Sequence, residues 1–216
     1  MRSVVPVPVP VPVLALVTGL LALGAPVASA ATPAPASVTV QADVNGDGVP
    51  DRVVVSPATD AANQQILTVT IGRTNYVAHT AMPYFGVQAP KVVDINLDGK
   101  QELIVTEDIG AHTYWYSVWG MFGGLRPVRL ADQVTKLQLL EGESVGELAR
   151  YNCNDYTPSG RRQLVTYTAQ LADPNTLMYT GHRVTYDIVN GIATVTNAFA
   201  LSGPQIIFYG DPSSCL

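Results

Sequence analysis

Asp43-Val44-Asn45-Gly46-Asp47-Gly48-Val49-Pro50-Asp51 reads D-x-N-x-D-G-x-x-D, and the pattern returns at Asp94-Ile95-Asn96-Leu97-Asp98-Gly99-Lys100-Gln101-Glu102. Both copies place oxygen-bearing side chains at positions 1, 3, 5 and 9 and glycine at position 6. A hard cation such as Ca²⁺ takes about six to eight oxygen ligands at roughly 2.3–2.6 Å. A short loop surrounds such an ion when alternate side chains turn inward and a glycine allows the sharp bend. With three carboxylates in each copy, the pattern predicts two Ca²⁺ loops.

The flanks separate this motif from an EF-hand, which needs a bidentate acid at position 12 and a helix on either side. Position 12 is Val54 in one copy and Val105 in the other. Ser37-Val38-Thr39-Val40 and Lys91-Val92-Val93 lead in, and Arg52-Val53-Val54-Val55 and Leu103-Ile104-Val105-Thr106 lead out. Such β-branched runs read as strands, so each loop joins two strands and the acid sits at position 9.

Ala42 to Val55 and Val93 to Val105 resemble the integrin-type FG-GAP repeat, also called the VCBS repeat, of β-propeller proteins. Phe85-Gly86 ahead of the second copy is similar to the family's Phe-Gly, although no Gly-Ala-Pro follows. The resemblance implies side-chain ligands Asp43, Asn45, Asp47 and Asp51 with the Val49 carbonyl. It implies a second set of Asp94, Asn96, Asp98 and Glu102 with the Lys100 carbonyl. It also implies protein or carbohydrate recognition outside the cell.

A third segment, Asp155-Tyr156-Thr157-Pro158-Ser159-Gly160-Arg161-Arg162-Gln163, keeps the acid at position 1 and the glycine at position 6. It precedes Leu164 to Thr168, another strand-like run, and reads as a degenerate copy with Asp155 an ordinary loop acid. Arg161 and Arg162 would oppose a divalent ion there.

Hairpins fill the intervals. Gly72-Arg73 separates two alternating runs, Gly123-Gly124 another pair, and Asn190-Gly191 is a strong hairpin signal. Each unit therefore reads strand, acidic loop, strand, hairpin: four strands, the content of a propeller blade. The expected fold is all-β, a short β-propeller-like array of three four-stranded units at about 37–86, 87–140 and 147–200, with a tail at 201–216. Propellers usually have about four to eight blades, so three units form either a compact assembly or an open fragment completed by a partner copy. Ile206-Ile207-Phe208-Tyr209 reads as a tail strand covering a free edge.

Residues 1–30 read as a secretory signal peptide: Arg2, an apolar run from Val13 to Leu23, and Ala28-Ser29-Ala30 as the cleavage site. Residues 31–36 are a Pro/Ala linker, and 37–216 form one repeat domain. The 216-residue chain has formal net charge −5, and its few, scattered Lys and Arg argue against a nucleic-acid partner. The apolar run is too short to cross a bilayer of about 30 Å. Two cysteines, Cys153 and Cys215, in an exported chain are expected to pair, two free buried thiols being the alternative.

Gly142-Glu143-Ser144-Val145-Gly146 matches the G-x-S-x-G elbow of α/β-hydrolases, with Asp173 and His182 following in that fold's order. The elbow needs a strand before it and a helix after it, and no helical period follows. An exported esterase using Ser144 is thus the alternative to a non-catalytic module, and a purely structural cell-envelope protein is a third reading. His79, His112 and His182 are too dispersed for a zinc pattern. In Tyr114-Trp115-Tyr116, strand alternation puts the tyrosines on one face and Trp115 on the other, so that one face packs in the core and the other is free to stack on a sugar ring. The leading expectation is a secreted, Ca²⁺-stabilised binding or adhesion module for an extracellular protein or glycan.

Overall fold

The computed structural model describes residues 37–216, so the signal peptide and linker lie outside the described residues. The described chain is all-β in two sheets, with two short 3₁₀ turns and no helix long and apolar enough to cross a membrane.

The first sheet is an antiparallel meander of β1 (Val38–Ala42), β2 (Asp51–Pro57), β3 (Gln64–Ile71) and β4 (Thr74–Ala81). Gly72, at φ 58°, makes the tight β3–β4 turn that pairs Ile71 with Thr74. Alternate residues Val53, Val55, Leu67 and Val69 are fully buried, as period-2 patterning requires of a sheet with one covered face.

The second sheet holds β5 (Lys91–Val93), β6 (Glu102–Ile109), β7 (Thr113–Met121), β8 (Leu125–Pro127), β9 (Arg129–Leu130), β10 (Gln138–Glu143), β11 (Glu147–Tyr156), β12 (Arg162–Asp173), β13 (Met178–Val189) and β14 (Ile192–Pro204). β5 to β8 form one four-stranded meander and β11 to β14 another. They are not separate blades: β10 pairs with β7 on one side and β11 on the other, fusing them. β8 lies on β7 while β9, one residue further on, runs parallel to β14. The pairing path from β7 through β10 to β14 thus returns to its start, and the sheet curls on itself. No ring of three blades is formed among the described residues. The connection after β8 supplies the extra strand β10, and once β10 satisfies the free edges of β7 and β11, the sheet is continuous.

The curl encloses one core, with Tyr116, Val118, Val128, Leu139, Tyr151, Leu164 and Ile188 in contact. A second core lies between the sheets, where Val53, Val55, Leu67 and Val69 meet Leu103, Val105 and Trp119. Glu102 to Glu107 of β6 are all buried, because β6 is covered on both faces. Asn190 (φ 49°) and Gly191 (φ 77°) make the turn expected between β13 and β14.

The tail corrects one expectation. Ile206 to Tyr209 do not add a strand; Gln205–Phe208 form a 3₁₀ turn after Pro204, and Phe208 packs on Leu148, Val165 and Tyr167. Proline cannot donate to a ladder, which ends β14 there. A second 3₁₀ turn, Pro212–Cys215, brings Cys215 to β11, where it forms a disulfide with Cys153 at a Cα–Cα distance of 4.9 Å.

Candidate functional site

The two acidic loops share one local structure. In the first, the Asp43 carboxylate accepts from the backbone N–H groups of Gly46 (2.8 Å), Asp47 (3.1 Å) and Gly48 (2.8 Å). In the second, Asp94 accepts from Asp98 (3.1 Å) and Gly99 (3.0 Å). At position 3, Asn45 and Asn96 each accept from the N–H of position 5 and donate to its carboxylate. At position 5, Asp47 and Asp98 accept from the N–H of position 7. Position 9 opens the outgoing strand, Asp51 pairing with Ala42 and Glu102 with Val93.

Both loops need left-handed backbone twice. Gly46 (φ 75°) and Leu97 (φ 57°) occupy position 4; Gly48 (φ 82°) and Gly99 (φ 85°) occupy position 6. Gly46 also abuts the second loop: a Cβ there would lie 3.0 Å from Lys100 Cγ and 3.1 Å from the Gly99 carbonyl, whereas at Gly48 it would meet nothing within 4 Å. Gly48→Ala should therefore cost about 1–2 kcal/mol for left-handed backbone alone, and Gly46→Ala more. Urea denaturation of both variants checks the order; equal costs would show that Lys100 and Gly99 yield to the added methyl group.

The position-9 acids are the buried ones. Asp51 is 7% exposed and its Oδ2 has no hydrogen-bond partner. Burial raises its pKa, the Val44 N–H opposes this, and Asp47 and Asp43 add to the rise. Glu102, 1% exposed, is pushed up to about 8 by burial, against the Ile95 N–H and with help from Asp98 and Asp94. In each loop burial thus works against the charged form of the position-9 carboxyl, an effect that nearby positive charge would relieve. The donors are all oxygen, the set a hard cation takes. As the loops stand, no group of three or more His, Cys, Asp or Glu side chains among the described residues is gathered closely enough to hold a metal.

The loops are linked in series. Asp43 donates its N–H to Gln101 Oε1 (2.7 Å) and accepts from the Gln101 N–H at 2.8 Å. The Asp94 carbonyl in turn accepts from Arg162 Nη2. Gln101 and Arg162 both occupy position 8 of their copies, so position 8 of one copy bonds the position-1 carbonyl of the copy before it. Sequence reasoning passed over both. The signal available was a polar residue at position 8 of the later copies and Pro50, which lacks an N–H, at that position of the first.

The third loop departs from the other two for a reason in its sequence. Gly160 keeps the position-6 geometry at φ 85°, but position 4 is Pro158, whose ring holds φ near −65°. The ladder instead runs on into the loop, pairing Asp155 with Gln163 and Tyr156 with Arg162. Asp155 is not the ordinary loop acid expected: it bonds Arg183 at 2.6 Å and Thr185 at 3.1 Å. Arg161 pairs with Asp187. Arg162, 7% exposed, donates to three backbone carbonyls, of Asp94, Ser214 and Cys215. A guanidinium thus occupies the seam between the second and third loops.

The esterase elbow is not formed. Gly142 to Gly146 span the β10–β11 hairpin, where the Ser144 N–H donates to the Glu147 carbonyl and Ser144 Oγ accepts from the Glu147 N–H at 3.0 Å. A strand follows in place of a helix, and Asp173 caps its own turn through Asn175 and Thr176. Among the described residues Ser144 makes no hydrogen bond with His182 or Asp173. In the aromatic run, Tyr114 stacks on Tyr116 (6.0 Å between centroids, 8° between planes), and Tyr116 meets Tyr151 edge-on. Lys91 sits between Glu141 and the Tyr151 hydroxyl, 4.6 Å from the Tyr116 ring centroid. Burial opposes its charge, but those two partners outweigh it and hold the ammonium above its ordinary pKa.

Comparison of the chain with protein-family models, with curated proteins and with solved structures finds no match.

Proposed function

We propose that the chain is an exported, non-catalytic binding module whose two acidic loops each hold a Ca²⁺ ion, and that its three meanders are units of a short propeller-like array of FG-GAP/VCBS type. The observation that carries this reading is the pair of loops with one shared backbone path and hydrogen-bond scheme, each closed by a buried carboxyl, one with an unpartnered oxygen. Position-8 bonds in series support a common origin of the three units. The first site takes Asp43, Asn45, Asp47, Asp51 and the Val49 carbonyl; the second takes Asp94, Asn96, Asp98, Glu102 and the Lys100 carbonyl. The ion's role is structural. It neutralises clustered carboxylates and pins adjoining loops that belong to different sheets, fastening the first sheet to the second.

Calcium should raise the thermal stability of the full chain, since only the folded loops assemble the ligands. With affinity in the extracellular range of about 10⁻⁴–10⁻³ M, about 1 mM calcium adds roughly 0.4–1.4 kcal/mol per site. Calorimetric titration should find two ions, with Asp43→Ala and Asp94→Ala each removing one and Asp155→Ala none. An unchanged melting temperature between calcium and chelator would sink the proposal, and three ions would restore the third loop as a site.

A further inference from the structure

At the strand ends opposite the acidic loops, the curled second sheet leaves a half-open groove of about 770 Å³ running across β7 and β10 to β14. That volume lies within the roughly 300–1,000 Å³ usual for ligand pockets. Trp115 forms one wall, and Thr113, Thr168, Gln170, Thr180 and Ser202 contribute hydroxyl and amide groups. Among the described residues none of these five polar side chains makes a hydrogen bond within the protein, and neither do the side chains of His182 and Glu147, which also line the groove. Further along β12 to β14, Gln163 donates to Thr196, Thr196 to the Thr185 carbonyl, and Thr185 to Asp155, whereas Thr166, Thr194 and Asn197 are uncommitted like the groove residues. Seven uncommitted polar side chains thus converge on one concavity beside an indole.

The floor is shallow side-chain matter. A methyl group at Gly181 would collide with the Thr168 carbonyl and the Ala169 backbone, and Ala149 and Ala200 lie alongside. Glycine within a strand marks such a close approach of backbone. Glu147 is the one carboxylate on the lining and no Lys or Arg is present, which disfavours an anionic ligand. An apolar ligand would bury five or more hydroxyl and amide groups without partners, at roughly 1–3 kcal/mol each. A ligand that carries many neutral hydroxyls, and a C–H face to lay on an indole, satisfies both the polar groups and Trp115.

We infer that this groove binds a neutral oligosaccharide. The inference rests on the binding role proposed above but not on its ion sites. Its test is titration of the full chain with cellotetraose, chitotetraose, maltotetraose and mannotetraose, followed by calorimetry and tryptophan emission, in calcium and in chelator. At least one sugar is expected to bind and to change the emission. Trp115→Ala should weaken it about tenfold or more. Thr168→Val and Gln170→Leu, which preserve shape, should each weaken it about three- to tenfold with an unchanged melting temperature. If none of the four sugars binds, or if binding is indifferent to Thr168→Val and Gln170→Leu, the inference is overturned. A chain that melts higher in calcium yet binds no sugar loses this site and keeps its ion sites; sugar binding without a calcium response does the reverse.

Discussion

Cys215→Ser is expected to lower the stability of the folded chain by about 4 kcal/mol, as loop-closure entropy predicts for residues 62 apart in sequence. The bond ties the C-terminal 3₁₀ turn to the middle of β11, and both sulfurs lie in the curled sheet's core. The turn holds more than its own residues. Ser214 Oγ accepts from the Cys153 N–H at 2.9 Å, and Arg162 donates to the carbonyls of Ser214 and Cys215. Releasing it would leave a buried guanidinium short of partners, so the full entropic cost should be felt. Urea unfolding of wild type with and without reductant, and of Cys215→Ser, makes the measurement. Reduced wild type and the variant should coincide, and a loss below about 1 kcal/mol would show that the turn is held by its hydrogen bonds alone.

Glu107→Ala should cost about 3 kcal/mol or more. Glu107 is buried, its two oxygens taking Lys136 Nζ at 2.5 and 2.6 Å and its Oε1 also taking Ser117 Oγ at 2.6 Å and the Thr80 hydroxyl. Trp119 Nε1 donates to Ser117 Oγ at 2.7 Å. Thr80 belongs to the first sheet, Glu107, Ser117 and Trp119 to the second, and Lys136 to the β9–β10 connection, so the carboxylate fastens the seam between the sheets five residues along β6 from Glu102. Removing one partner of a buried pair typically costs about 3–5 kcal/mol because the other is stranded; Lys136, 32% exposed, regains some water, which places this case at the lower end. Adding Lys136→Met should recover part of the loss. Chemical denaturation of the single and double variants decides the matter: a double variant as unstable as the sum of the singles would deny the coupling.

The acidic loops were legible because their structure is made by their own atoms. Asp43 and Asp94 fold their loops by accepting from N–H groups three to five residues on, and the glycines at position 6 turn the chain without help from elsewhere. The Asn190-Gly191 hairpin and the opposite faces of Tyr116 and Trp115 were readable for the same reason. Position 4 held information that went unread: Pro158 already denies the third loop the left-handed turn that Gly46 and Leu97 make.

The sequence alone thus determined an all-β chain, the strand–loop–strand units, the two matching acidic loops and the parity that pairs Cys153 with Cys215. Tertiary structure decided which edges joined. Every strand edge offers the same row of N–H and C=O groups, so nothing in β7 or β11 names β10 as its neighbour, and nothing in β9 names β14. Packing chose, by closing the curl over Tyr151, Leu139 and Ile188 and laying the first sheet on Leu103 and Trp119. The same long-range placement brought Gln101 to Asp43, Arg162 to Asp94 and Arg183 to Asp155, and it gathered uncommitted hydroxyls from β7, β12, β13 and β14 into one groove. Those pairings depend on how sheets fold over one another, a property that no short-range pattern of residues encodes.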